Sequence, residues 1–301
     1  MQHKWPFISL SFNRWSDNKL LIGIVLLFAV EYVEPFSAVT TASWRHLFQL
    51  SLHGAALLLC LILAFRYLTE FCKISLRVSS STLHLIRSRF GMKVNKAPEP
   101  YLEALFDQYA DTFESHLVGT LGYCVPEQIF SVLVENIDTH KRYEILDIGC
   151  GTGLCGVRLE PFAQYLAGVD LSANMLEKAS RRDIYDELLQ TSLIRLPGHF
   201  QSRFELVAAA DVLIYFGDLK TVFETVLWTL KPGGFFIFSI EHQENEDWSL
   251  NANGRYAHSH RYIENLALEC GLQLIYQHEQ VLRTEADQDV QGAVYLVKKS
   301  G

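Results

Sequence analysis

The segment Glu144 to Gly156, EILDIGCGTGLCG, limits the fold of this chain more than any other. An apolar run from Tyr143 to Ile148 reads as a strand, passes through Asp147 and enters a loop with Gly149, Gly151 and Gly153. Glycine admits backbone conformations and close approaches that a Cβ forbids. A helix opening after such a loop points unpaired N–H groups at whatever the loop holds. A strand, a glycine loop and a helix in this order make the first unit of a parallel α/β sheet.

The downstream sequence repeats the unit. Strand-like runs fall at Tyr143–Ile148, Tyr165–Asp170, Phe204–Ala210 and Phe235–Ile240, with a weaker one near Leu188–Leu193. Helical spacing is seen over Tyr101–Leu117, after Pro126, over Ala173–Arg181 and over Leu219–Leu230. This alternation predicts a mostly parallel sheet covered on both faces. Leu272–Leu282 and Val290–Val297, separated by a polar stretch, predict a terminal β-hairpin.

Gly151, Gly153 and Gly156 also satisfy G-x-G-x-x-G, and Asp170 ends the next strand about 20 residues on, where a carboxylate can accept hydrogen bonds from both hydroxyls of a ribose. These residues serve a dinucleotide or S-adenosylmethionine equally well. A resemblance separates the two. ILDIGCGTG and VDLSANML closely resemble the first two motifs of the class I S-adenosylmethionine-dependent methyltransferases, and AAADVLIYFGDL and LKPGGFFIFSIE resemble the fourth and fifth. The match runs in order from about Tyr101 to Lys299. YLEALFDQYADTFESHL and NGRYAHSHRYIENLA look like bacterial methyltransferases described with tetratricopeptide-repeat relatives, although no such repeat is present here. The resemblance implies an α/β, Rossmann-like, mostly parallel seven-stranded sheet with an antiparallel C-terminal strand.

It also implies roles for residues. Asp147 and the backbone of Gly149 and Gly151 would hold the methionine part of the cofactor, with Gly153 in the same cofactor-binding loop. Asp170 would take the ribose hydroxyls, Leu171 and Met175 would pack near the adenine, and Asp211 would lie beside the methionine amino group. Many relatives carry an acid in the third motif, where this chain has TSLIRL with Ser192.

Methyl transfer from a sulfonium chiefly needs donor and acceptor aligned, and a base only for a poorly acidic acceptor. The candidate catalytic groups follow the fourth and fifth strands: His258, Tyr215 and Glu241, with His242 and His260 nearby. Arg255 and Tyr256 could hold an acidic substrate group, and Tyr109 could belong to a lid.

Hydrophobic residues reach 49% of the chain, concentrated before about residue 78. Leu20–Val30 is uninterruptedly apolar, and Leu47–Leu68 has the length of a membrane span, for which about 20 residues are needed. Two candidate transmembrane helices are therefore expected near 20–34 and 47–68. Basic residues flank them on their outer sides, which predicts a hairpin with both ends in the cytoplasm. Competing readings are a signal peptide ending near Ala42, an interfacial first run, or a helical extension of a soluble protein. Residues 79–100 read as a basic connector and 101–301 as the methyltransferase domain.

The net charge of −8 argues against a protein whose main work is gripping nucleic acid. Six cysteines without a C-x-x-C pair, and no histidine at zinc spacing, predict ordinary thiols and no metal. The expected acceptor is a small molecule or a lipid-like compound at the membrane. The alternatives are a protein or RNA methyltransferase, or a non-catalytic cofactor-binding protein on the same fold.

Overall fold

The computed structural model describes residues 59, 61–67, 69, 82–89, 94–117, 119, 121–285 and 288–301. The chain divides into two units, Met1–Ile74 and Ser75–Gly301. The first predicted membrane run lies outside the described residues, as does much of the second. Within the second, helix α1 (61–67) exposes Leu61, Ile62, Leu63 and Phe65. Among the described residues no helix is long and apolar enough to cross a membrane.

The second unit is built on a nine-stranded sheet. Strands β1 (Tyr143–Ile148), β2 (Ala163–Asp170), β3 (Glu187–Gln190), β4 (Phe204–Ala209) and β5 (Leu230–His242) lie in the order β3-β2-β1-β4-β5, all parallel. The terminal hairpin, β8 (Leu272–Glu285) and β9 (Gln288–Lys299), joins with β9 antiparallel to β5. The seven main strands thus form the expected mostly parallel sheet with an antiparallel C-terminal strand. A small hairpin, β6 (Trp248–Leu250) and β7 (Tyr256–His258), extends the end of β5, where Glu241 pairs with Ala257 and His242 with His258.

Period-two alternation explains the layers. In β1, Ile145 faces one side while Leu146 and Ile148 face the other; in β4, Leu206 and Ala208 oppose Val207 and Ala209. One face packs on α5 (Val125–Asn136) through Val125, Ile129, Val132 and Leu133, and on α6 (Leu154–Leu159). The other packs on α8 (Lys220–Thr229) and α9 (His260–Glu269) through Val222, Phe223, Val226, Ile263 and Leu266. With both faces covered, a parallel sheet of largely apolar strands is stable.

The connector differs from the sequence reading. Residues 82–89 form helix α2, whose buried His84 ring contacts the Gly254 carbonyl through Nε2 at 3.0 Å. The Ala97 amide donates to Tyr215 O and the Gly217 amide to Asn95 O, both at 2.8 Å. Helix α3 (Glu99–Tyr109) begins at the prolines instead of beyond them, with Pro98 as its N-cap and Pro100 in the first turn. Proline suits that position because its missing N–H has no intrahelical partner there. The single helix expected over 101–117 is two, α3 and α4 (Phe113–Leu117).

Candidate cofactor and acceptor site

The C-terminal ends of β1, β2, β4, β5 and β8 share one edge of the sheet, the edge at which open α/β sheets bind ligands. Asp147, one residue from the end of β1, is fully buried. Its Oδ2 accepts from the Tyr185 hydroxyl at 2.7 Å, and its Oδ1 is buried with no hydrogen-bond partner. Burial pushes the carboxyl up to about 7. Gly149 follows with φ +63°, and a Cβ there would strike the Val212 side chain. At Gly151 a Cβ would stand 3.9 Å from the Phe113 ring. These glycines leave a cradle of bare backbone around a partnerless carboxylate oxygen, which fits the methionine end of S-adenosylmethionine.

Asp170 is tied down from two sides: Oδ2 accepts from the Gly151 amide at 2.9 Å and Oδ1 from the Ser172 amide at 2.8 Å. This fixes the carboxylate against the glycine loop before any ribose arrives. Burial raises its pKa, and the Ser172 and Gly151 amides oppose that rise. Ser172 caps α7 (Ala173–Ser180), accepting from the Met175 amide at 3.1 Å, and its hydroxyl donates to Asp107 of α3 at 2.6 Å. Met175 has no exposed surface.

Beside Asp170 lies an open cleft of about 410 Å³ lined by Glu103, Leu171, Gln190, Thr191, Ser192 and Arg195. Leu171 and Ser192 therefore border the same space. Ser192 Oγ donates to Glu99 at 3.0 Å, so helix α3 brings a carboxylate to the position where the third motif lacks its own.

At the acceptor end, Asp211 follows β4 in the left-handed region, φ +56°. Such strain in a residue other than glycine persists only where its surroundings hold it. Here Ser239 Oγ accepts from the Asp211 amide at 2.9 Å and donates to its Oδ1 at 3.1 Å. Arg283 grips its Oδ2 at 2.8 Å. The Arg283 side chain is 2% exposed and also bonds Glu241 and, at 2.7 Å, Glu285. Arg255 pairs with Glu285 and stands 3.7 Å from Glu241. Burial opposes ionisation of Glu285, but Arg255 and Arg283 outweigh it and hold the carboxyl below its ordinary value. Burial raises Glu241, and the same two guanidiniums work against the rise.

The three sequence candidates for catalysis do not converge. Tyr215 is partly buried in the turn after β4, and burial pushes its phenol up to about 12, so it is a hydrogen-bond donor at neutral pH. Glu241 is locked by Arg283. His258 is sealed inside β7 with no exposed surface, its Nε2 at 3.0 Å from Gly217 O. Burial lowers it to about 4, so the ring is neutral, and its setting fits a packing role better than that of a base.

Sequence reasoning missed Tyr185, Arg283 and Glu285. Tyr185 lies between α7 and β3 without a motif of its own. Its trace in the sequence is indirect: a Cβ at Gly156 or Gly168 would collide with its ring.

Asp147 carries a pH dependence. Its folded pKa of about 7 exceeds the unfolded value of about 3.9. Between those values the folded state binds a proton that the unfolded state does not, so stability falls as pH rises. Cofactor-free protein is expected to lose about 2 kcal/mol from Asp147 between pH 5.5 and pH 8. Denaturant melts of Asp147→Asn should show most of that slope gone; an unchanged slope would contradict the assignment.

A family model described as "Methyltransferase domain" matches residues 146–236. A Geobacillus sp. (strain WCH70) protein, named only as a methyltransferase, is 33% identical over 104 residues, 32% of this chain and 41% of the relative. The ubiquinone biosynthesis O-methyltransferase of Hydrogenovibrio crunogenus is 24% identical over 169 residues, 54% of this chain and 69% of the relative. Among solved structures, the [4+2]-cyclase SpnF matches with a TM-score of 0.56 at 15% identity, over 70% of this chain and 98% of that one. That likeness concerns the fold, which hosts more than one chemistry. The family match runs from within β1 to within β5, the part of the sheet that carries the glycine loop, Asp170 and Asp211, so this stretch is a methyltransferase domain, and its glycine loop and strand-end carboxylates fit S-adenosylmethionine as the cofactor.

Proposed function

We propose that the protein transfers a methyl group from S-adenosylmethionine to a small, apolar or lipid-like acceptor at a membrane surface, with its catalytic domain on the cytoplasmic side. The observation that carries this reading is an aromatic wall beside the glycine loop. Phe106 meets Phe113 and Tyr215 edge-on, with ring centroids 6.4 and 5.6 Å away, and Tyr109 meets Phe113 at 5.3 Å. Such rings bury a large apolar group, and the charges at the acceptor end, Arg255, Arg283, Asp211, Glu241 and Glu285, are paired with one another. The named role of the Hydrogenovibrio relative, O-methylation in ubiquinone biosynthesis, concerns a lipid-soluble quinone and supports the same class of acceptor. Membrane association is supported by the exposed apolar side chains of α1 and by Leu83, Leu85 and Ile86 on α2. Arg87 and Arg89 follow on that helix, as in helices that lie on anionic bilayers.

The bound cofactor would supply an already activated methyl group. The chain's own residues would do the rest. Asp147 and the backbone at Gly149, Gly151 and Gly153 hold the methionine portion, and Asp170 holds the ribose. Leu171 and Ser192 border the adenine, with Glu99 and Glu103 supplying the carboxylates that the third motif lacks, while the fully buried Met175 packs behind them in the core. Asp211, fixed by Ser239 and Arg283, orients the methionine amino group. Tyr215 donates to the acceptor, and the aromatic wall excludes water.

Full-length protein incubated with methyl-labelled S-adenosylmethionine, a total lipid extract, a phenolic prenyl-quinone precursor, bulk RNA and bulk protein tests the reading. Label should partition into the organic phase, and the protein should float with vesicles containing anionic phospholipid. Label confined to RNA or protein would overturn the acceptor class; absence from anionic vesicles would overturn the membrane arm.

A further inference from the structure

Outside the cofactor site, the fold gathers a second set of chemistry-bearing side chains that no sequence spacing announces. His242 ends β5, His260 opens α9 and Glu279 lies in β8. One ligand-capable atom from each lies within 4.8 Å of the other two. The imidazoles stack with centroids 4.1 Å apart, and His260 Nε2 is 2.7 Å from Glu279 Oε1. His242 Nδ1 is buried and makes no hydrogen bond.

We propose that His242, His260 and Glu279 form a binding site for a divalent transition-metal ion of the zinc type. Two imidazoles and one carboxylate are the donor set such ions take, leaving a fourth position for water or another ligand. With bonds of about 2.0–2.2 Å, the donor atoms need to stand about 3.3 Å apart, so closing the cluster takes side-chain movements of about 1 Å. The support behind His260 is already built. Its Nδ1 faces the Tyr295 hydroxyl. A ligating histidine that donates its second N–H to such an oxygen is fixed in tautomer and ring orientation.

Two stacked imidazoles with a buried, partnerless nitrogen make a poor packing arrangement, whereas a cation at the edge of the two rings would use one in-plane nitrogen of each together with the exposed carboxylate. The ion would clamp β5, α9 and β8 at one point. His242 directly follows Glu241, so the clamp also steadies the strand end that carries the Glu241–Arg283 pair. The sequence reading expected no metal, because the three ligands come from elements far apart in the chain.

Untagged full-length protein, stripped with a chelator and dialysed, would be titrated with Zn²⁺ by calorimetry and with Co²⁺ by visible absorption. One Zn²⁺ per chain is expected, with visible ligand-field bands from the cobalt form. Glu279→Gln replaces an exposed side chain by its near-isostere and should leave folding intact; it and His260→Gln should each weaken Zn²⁺ binding roughly tenfold or more. Absence of one-to-one binding by the stripped, folded protein would overturn the proposal. So would wild-type Zn²⁺ affinity in both variants, since cysteine-bound zinc would survive them.

Discussion

Asp170→Asn is expected to lose at least about 100-fold in affinity for S-adenosylmethionine and S-adenosylhomocysteine. Each hydrogen bond from a ribose hydroxyl to a charged carboxylate contributes roughly 1.5–3 kcal/mol, and a carboxylate at this position can accept two. The substitution also disturbs the pocket itself. An amide keeps one acceptor oxygen and turns an NH₂ toward the other backbone donor, so either the Gly151 or the Ser172 amide loses its partner. Melting of the ligand-free variant separates the two effects. A modest fall in stability with a large fall in affinity fits the account; unchanged affinity in a folded variant contradicts the ribose role. The same variant should leave Zn²⁺ binding at His242, His260 and Glu279 as in the wild type, so failure of one site is distinguishable from failure of the other.

Arg283→Met should produce the largest loss of stability. Arg283 is the buried centre on which Asp211, Glu241 and Glu285 converge; without it Glu241 and Glu285 keep only Arg255, and Asp211 loses its ion-pair partner. Removing one partner from a buried ionic network typically costs about 3–5 kcal/mol, because the remaining charges have lost water and gained nothing. For a unit of this size that corresponds to a fall in Tm of roughly 6–20 °C. The loss should shrink as pH falls, since uncompensated carboxylates have raised folded pKa values and stabilise the folded state once protonated. Adding Glu241→Gln should restore part of the stability, while Lys at 283 should not, because an ammonium cannot fork to three carboxylates. A melting temperature within a degree of wild type would contradict this reading of the network.

The sheet was legible because its strands carry strong local signals. Tyr143–Ile148 is read from sequence with the bounds it has in the structure, since an apolar run between a charged turn and a glycine loop has few alternatives. The terminal hairpin was readable for the same reason. β5 was read too short: its first five residues, Leu230 to Gly234, look like a turn, yet Leu230 pairs with Phe204 and the next four form an irregularity before Phe235 meets Leu206. The β6–β7 hairpin was not seen, because its three-residue strands take their stability from β5 and from Trp248 and Tyr256 instead of from local pattern.

The site divides along similar lines. Asp147, the glycines, Asp170 and Asp211 sit at strand ends, where sequence order predicts spatial order. Tyr185, Arg283, Glu285 and the histidine pair reach their places through long-range packing, which leaves no spacing to read. His258 shows the converse: in sequence a histidine in the polar stretch NGRYAHSHRY is a candidate base, while β7 turns it inward, with its Nε2 against the Gly217 carbonyl.

The central claim is that this sheet edge holds S-adenosylmethionine and not a dinucleotide. Calorimetric titration of the full-length protein with S-adenosylmethionine, S-adenosylhomocysteine and NADH tests it most directly. Saturable one-to-one binding of the two sulfur cofactors, with no heat from NADH, is the predicted result; saturable NADH binding, or a folded protein that takes up neither sulfur cofactor, would contradict it.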